Sequence, residues 1–230
     1  MAIAKQAGSS AEPRTPLNRE RVLRAAIGLA DEAGVEALSM RKLAKELGVE
    51  AMSLYNHVAN KDDILDGIVE IVFSEIELPS TGTDWRSAMR RRAVSTREAL
   101  SRHRWAVGLM ESRTRPGPAN IRLHGRVLGC LRQAGFSVEM AVHAYSVQDS
   151  YIYGFALQEK GFAGQRDDMS LGSDESLAST LLQQLPADEY PYLAEIVGGY
   201  VTGSSYEFAD EFEFGLDLIL DGLEKLRGTS

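Results

Sequence analysis

Cysteine is nearly absent from this chain of 230 residues. Cys130 stands alone, so neither an intrachain disulfide nor a multi-cysteine zinc site can form, as suits a reducing compartment. Set among Val127, Leu128 and Leu131, it reads as a small core residue or as a redox-sensing thiol. Long apolar runs are lacking too: none approaches the roughly 20 residues that span a bilayer. The first sixteen residues, MAIAKQAGSSAEPRTP, have no apolar stretch of the signal-peptide kind. A cytoplasmic location without membrane association is therefore expected. The four histidines complete no metal-ligand motif, and no Gly-x-Ser-x-Gly elbow occurs. Gly198 and Gly203 have P-loop spacing, but Ser204 stands where the phosphate-binding lysine belongs. No nucleophile, base or metal set can be assembled, so neither an enzyme nor a cofactor or metal is expected.

Positive charge is also short. The net charge of −8 argues against a protein that coats nucleic acid non-specifically. Its distribution is uneven. Residues 1–61 carry nine Lys+Arg against seven Asp+Glu, whereas residues 62–230 carry sixteen against twenty-six. Within the latter, residues 86–126 hold eleven arginines and two glutamates, and residues 127–230 hold five basic and seventeen acidic side chains. The two blocks are expected to attract each other within the fold, although Arg90, Arg91 and Arg92, which point around a helix, read first as surface.

What the chain has in quantity is helical period. Val22, Ala26, Leu29 and Ala33 form one stripe between an Asn18 cap and a Gly34 stop. Ser39 caps a second helix that ends at Gly48, and Glu50 to Val58 forms a third. Asn60 with Asp63 makes a capping-box-like start for a fourth, running to about Glu77. Further helices are expected over 84–101, 105–111, 118–134, 137–160, 175–185, 188–200 and 206–226, with a mobile loop at 163–173. No segment alternates with period two for long. The fold class is all-α, with a flexible extension at 1–16, a helix-turn-helix at 17–61, a linker helix to about 77 and a larger helical domain over 84–228.

The hairpin at 39–61 has the dimensions of a helix-turn-helix, whose second helix enters the major groove. Burying Leu54 and Val58 leaves Ala51, Met52, Tyr55 and Asn56 on the outer face, with Ser53 at its flank and Arg41 and Lys42 on the preceding helix. Hydroxyls and the Lys61 ammonium suit phosphate oxygens, Asn56 suits an adenine edge and Arg41 a guanine. The same spacing also fits an ordinary helical hairpin with Tyr55 packed inward.

The stretch LSMRKLAKELGVEAMSLYNHVANKDDIL resembles the DNA-binding domain of the tetracycline-repressor (TetR) family of bacterial transcriptional regulators. Thr114-Arg115-Pro116, Gln133-Ala134-Gly135-Phe136-Ser137 and the run from Phe214 to Lys225 resemble the effector domain of the tetracycline repressors themselves. The resemblance implies groove or base contacts from Arg41, Ala51, Met52, Ser53, Tyr55, Asn56 and His57, and a phosphate contact from Lys61. His57 could instead be a structural residue closing its helix. Ala51 and Met52 replace a glutamine and a proline of tetracycline repressors, so the operator should differ.

A homodimer on a palindromic operator is implied, formed by the helices at 137–160 and 206–226. Its candidate contacts are Val142, Tyr145, Asp149, Ile152, Ala156, Phe212, Leu216, Ile219 and Leu223, some of which must face the monomer core. A small-molecule effector is implied in a cavity with Trp105, Leu109, Met110, Val127 and Val138 as walls and Arg92, Glu111, Arg115, Gln148 and Tyr151 as polar contacts. The histidine that holds drug-bound magnesium in tetracycline repressors is unmatched: Met110, Glu111 and Ser112 occupy its neighbourhood. Glu111 could ligate a cation or pair with Arg113 or Arg115. The expectation is a repressor released from DNA by an aromatic or carboxylated molecule. The alternative is a helical enzyme or an interaction module that binds no DNA.

Overall fold

The computed structural model describes residues 16–80, 82, 84–113, 115–168, 179–180, 183, 186–201 and 208–227, and among these every regular element is a helix. The chain divides into two compact units between Leu65 and Asp66. In the first, α1 (Arg19–Ala33), α2 (Met40–Leu47) and α3 (Ala51–Leu54) enclose Val22, Ala26, Leu43, Leu54 and Val58. Asn18 caps α1 by accepting from the Arg21 amide at 2.8 Å, and Ser39 caps α2 through the Lys42 amide at 3.3 Å. Gly48 takes a left-handed φ of 64°, which turns the chain sharply from α2 toward α3. The third helix is shorter than expected. Only one turn is regular, and bonds from His57 and Val58 to the Leu54 carbonyl carry a tightened path onward to Val58.

α4 (Lys61–Glu75) crosses the boundary between the units. Asn60 caps it by accepting from the Asp63 amide at 2.9 Å, and Asp63 reaches back to the Ala59 amide at 2.8 Å. The second unit contains α5 (Trp85–Arg102), α6 (Ala106–Ser112), α7 (Pro118–Gln133), α8 (Val138–Asp168), α9 (Pro191–Glu195) and α10 (Glu211–Leu226). Met89, Leu123, Leu131, Phe136, Ile152, Phe212 and Leu216 are wholly buried at its centre.

The structure departs from expectation at two places. The segment 163–168 continues α8 instead of opening a loop, while 169–173 and most of the helix expected at 175–185 lie outside the described residues. The arginine triplet is not uniformly at the surface either: Arg92 is completely buried.

The attraction between the basic and acidic blocks is realised in geometry. Arg86 pairs with Asp217 and Asp221, Arg90 with Glu213 and Asp217, and Arg97 with Glu159 at 2.6 Å. The Arg97 guanidinium also lies 5.0 Å over the Phe212 ring and 5.3 Å over that of Phe155, joining α5 to α8 and α10.

Candidate functional site

In the first unit, α2, the Gly48 turn and α3 build an outward face from a buried one. Leu54 and Val58 are buried, whereas Met52 is 75% exposed and Tyr55 47%. Asn56, Arg41 and Lys42 are also exposed; Ala51, Ser53, His57 and Lys61 are partly so. An exposed Met and Tyr on one turn cost hydration unless a partner covers them. Behind this face Arg19 donates both guanidinium nitrogens to Asp63, at 2.7 and 2.9 Å, and holds that carboxyl below its usual range. A longer bond of 3.4 Å runs from Arg19 to the His57 carbonyl, so the end of α3 and the start of α4 share one brace.

In the second unit, a cavity of about 530 Å³ is lined by Phe73 of α4, Met110, Glu111 and Arg113 at α6, Asn120 and His124 of α7, and Tyr145, Ser146, Asp149, Ser150 and Tyr153 of α8. Its volume suits a drug-sized molecule. Four rings give it planar walls. Those of His124 and Tyr145 meet edge to face at 5.0 Å, and their Nε2 and hydroxyl atoms lie 2.6 Å apart. Burial pushes the His124 imidazole below its ordinary pKa and the Tyr145 and Tyr153 phenols well above theirs, so all three are neutral near pH 7. Asp149 is ion-paired with the buried Arg92, and Arg113 with Asp66 at 2.9 Å. The Asn120 Oδ1 is buried without a hydrogen-bond partner. The lining therefore offers acceptors more readily than unspent cationic charge.

A second, shallower cavity of about 370 Å³ lies between α8 and α10, lined by Tyr151, Gly154, Phe155, Gln158, Phe208 and Glu211 among others. No helix among the described residues is long and apolar enough to cross a membrane.

Two family models match the chain: "Bacterial regulatory proteins, tetR family" over residues 22–68 and "Tetracyclin repressor-like, C-terminal domain" over residues 78–227. The chain belongs to the TetR family. Like its members it is a transcriptional regulator responsive to a small ligand, and not an enzyme. It is 33% identical over 219 residues to the HTH-type transcriptional repressor DrrR1 of Streptomyces coeruleorubidus, covering 93% of this chain and 80% of that one. To the tetracycline repressor protein class A of Escherichia coli it is 33% identical over 216 residues, 93% of each. The TetR family protein ActR of Streptomyces coelicolor, solved in complex with actinorhodin, superposes with a TM-score of 0.72 at 30% identity, covering 93% of this chain and all of that one.

Against this TetR-family frame, several residues expected at the effector cavity or the dimer contact lie elsewhere. Met110 and Glu111 do line the larger cavity. Arg92 and Val127 are wholly buried, Trp105 is buried against His103 at 5.9 Å, and Leu109 is half-buried outside the lining. Arg115 is exposed, and Val138 is 67% exposed and cannot be a wall. Gln148 is buried, its Nε2 donating to the Ala144 carbonyl at 3.1 Å while its Oε1 has no partner among the described residues, and Tyr151 lines the shallow cavity while donating to the Phe212 carbonyl at 3.0 Å.

Of the expected dimer contacts, Ile152, Ala156, Phe212, Leu216 and Leu223 are buried within their own chain and serve its core. Tyr145 and Asp149 line the cavity, Ile219 is half-buried, and Val142 alone is well exposed. The physical reason is shared. A helix with two apolar stripes gives one period in sequence, and the period does not say which stripe the monomer consumes. Phe73, Asn120, His124, Ser146, Ser150 and Tyr153 were missed because four helices converge on them. Only the contiguous ring-rich run around Tyr145 and Tyr153 gave a local signal.

Proposed function

We propose that two copies of this chain pair through α8 and α10, bind a palindromic operator through their α3 faces, and release it when an uncharged aromatic molecule bearing hydrogen-bond donors fills the larger cavity. The observation that carries this reading is the cavity lining: four rings, Glu111, Asp149 and the unpartnered Asn120 Oδ1. A carboxylated ligand is disfavoured, because the arginines that would have welcomed it are paired: Arg86, Arg90, Arg91, Arg92, Arg97, Arg102 and Arg113 all have carboxylate partners. ActR, whose solved complex holds actinorhodin, shows that a relative with this fold takes up a small molecule.

Support for pairing comes from the apolar side chains that α8 and α10 leave in water, including Val147, Leu157, Phe214 and Leu218. These take the place of the buried residues named above. Arg41, Lys42, Ala51, Met52, Ser53, Tyr55, Asn56, His57 and Lys61 remain the operator contacts. Each α3 reaches only a few bases, so useful affinity requires two half-sites about 34–36 Å apart.

The test is a mobility shift on a duplex selected from a random pool by the protein, titrated with emodin, a trihydroxyanthraquinone, and with emodic acid, its carboxylic counterpart. Release by emodin at a concentration at least about tenfold below that needed for the acid is expected, a difference of about 1.4 kcal/mol. Release by the acid alone would contradict the ligand class, and release by neither would contradict the reading.

A further inference from the structure

Within the second unit, one face of α4 carries Asp66, Glu70 and Phe73, spaced by four and three residues and therefore on one stripe of the helix. Each touches a different part of the effector domain. Phe73 is a cavity wall, Asp66 pairs with Arg113 beyond the end of α6, and Glu70 reaches the start of α7. There its two carboxylate oxygens accept from the Ala119 amide at 2.7 Å and the Asn120 amide at 3.4 Å. Helix starts leave such amides without intrahelical partners, and a carboxylate is the favoured acceptor for them. α7 supplies no acceptor of its own, since Gly117 at its N-cap has no side chain to offer.

Gly117 has a second role. A Cβ built there would collide with the Glu70 carboxylate, so the seat exists because this residue is glycine. The Ile121 amide, one residue further on, is satisfied by the Gly117 carbonyl at 3.0 Å. Glu70 thus serves the two amides that the helix itself leaves over. Asn120 belongs to both sides of the arrangement: its backbone is held by Glu70 while its side chain lines the cavity with a buried, unpartnered oxygen.

We propose that Glu70 is a positioning residue for the regulatory switch, a latch through which cavity occupancy and operator binding sense each other along α4. The proposal rests on the reading of the cavity as the effector site. A donor group that engages Asn120 Oδ1 shifts the first turn of α7, and the Glu70 carboxylate, seated on that turn, carries the shift to α4. α4 starts at Lys61, directly after the α3 face, and its far end is tied by Glu75 to Arg102 at 2.8 Å. Linkage requires the signal to run both ways, so operator binding must alter the latch as the effector does.

Hydrogen exchange at the Ala119 and Asn120 amides, measured on the full chain with and without the selected operator duplex, tests this. In the wild type the operator is expected to change their exchange rates by at least about fivefold. In Glu70→Ala the amides exchange fast in both states and the operator dependence disappears. Gly117→Ala keeps the carboxylate but fills its seat, and the same loss is expected. Glu70→Gln, which preserves shape, serves if the alanine variant does not fold.

A merely structural cap would leave the wild-type rates insensitive to operator, and that result overturns the proposal. So does operator dependence that persists in both Glu70→Ala and Gly117→Ala. Failure of emodin to release DNA while the operator dependence holds would sink the ligand class and leave the latch standing.

Discussion

Arg92 lies at zero exposure, paired with Asp149, while its Nε and Nη1 find no partner among the described residues. Such a pair adds little net stability, but breaking it strands a charge in the interior. Arg92→Ala should therefore cost about 3–5 kcal/mol in urea unfolding, and the Arg92→Ala/Asp149→Ala double variant less than the sum of the single losses. An additive double variant would show that the two do not act as a pair. His124 offers a pH test. Burial lowers its folded-state pKa below 6.5, so the unfolded chain takes up a proton that the folded one resists. Its contribution is full above pH 6.5, falls as pH drops below that value, and stops falling once the folded-state pKa is passed. Glu75 and Asp63 shift in the same direction for a different reason, held low against the cost of burial by Arg102 and His103 in one case and by Arg19 in the other; what they add is present above their unfolded values and lost in stronger acid. From about pH 7.5 to about pH 5.5 the wild-type urea midpoint should fall, and His124→Asn should flatten that slope. Equal slopes would refute the assignment. The sequence placed His124 on a helix, but its neighbours Tyr145 and Arg92 come from two others, and no spacing along one chain segment brings those three together.

At the scale of elements, the start and stop signals were legible because they are local. Asn18, Ser39 and Asn60 each bond an amide three residues on, and Gly48 takes the left-handed turn that its type permits. The length of α8 was not legible, since the polar, glycine-containing stretch after Lys160 lacks a period and yet extends the helix to Asp168. α3 was read too long for a related reason: its apolar pair Leu54 and Val58 marks the buried face but not how tightly the last turn winds. Arg41→Ala should relax operator preference at one base at a cost of about 1–3 kcal/mol, whereas Lys61→Ala should weaken all sequences alike and lower the salt slope by about one unit. Equal losses on matched and mismatched duplexes for Arg41→Ala would remove it from base readout. On α10, Leu218 is 59% exposed in the single chain, so Leu218→Arg should fold and sediment as a monomer with little operator affinity. Leu216→Arg, at a wholly buried position, should not fold. A Leu218→Arg dimer would move the interface elsewhere.

The whole molecule joins a DNA-binding unit in which acidic and basic residues balance to an acidic second unit, with α4 common to both. Of the arginines in 86–126, Arg86, Arg90, Arg92 and Arg97 serve as counterions of the acidic C-terminal block on α8 and α10, and Arg91, Arg102 and Arg113 pair with carboxylates of 66–77. Charge totals could not reveal this, because pairing depends on which helices pack. With those charges spent, the lining of the proposed effector cavity is rings and acceptors, and release of DNA by a ligand requires unequal affinity for two arrangements of the protein. The most direct measurement is calorimetric titration of emodin into the protein, alone and saturated with the selected operator. The account predicts that operator weakens emodin binding by at least about fivefold, and that emodin weakens operator binding by the same factor. Emodin bound with equal affinity to the free and the DNA-bound protein would contradict it.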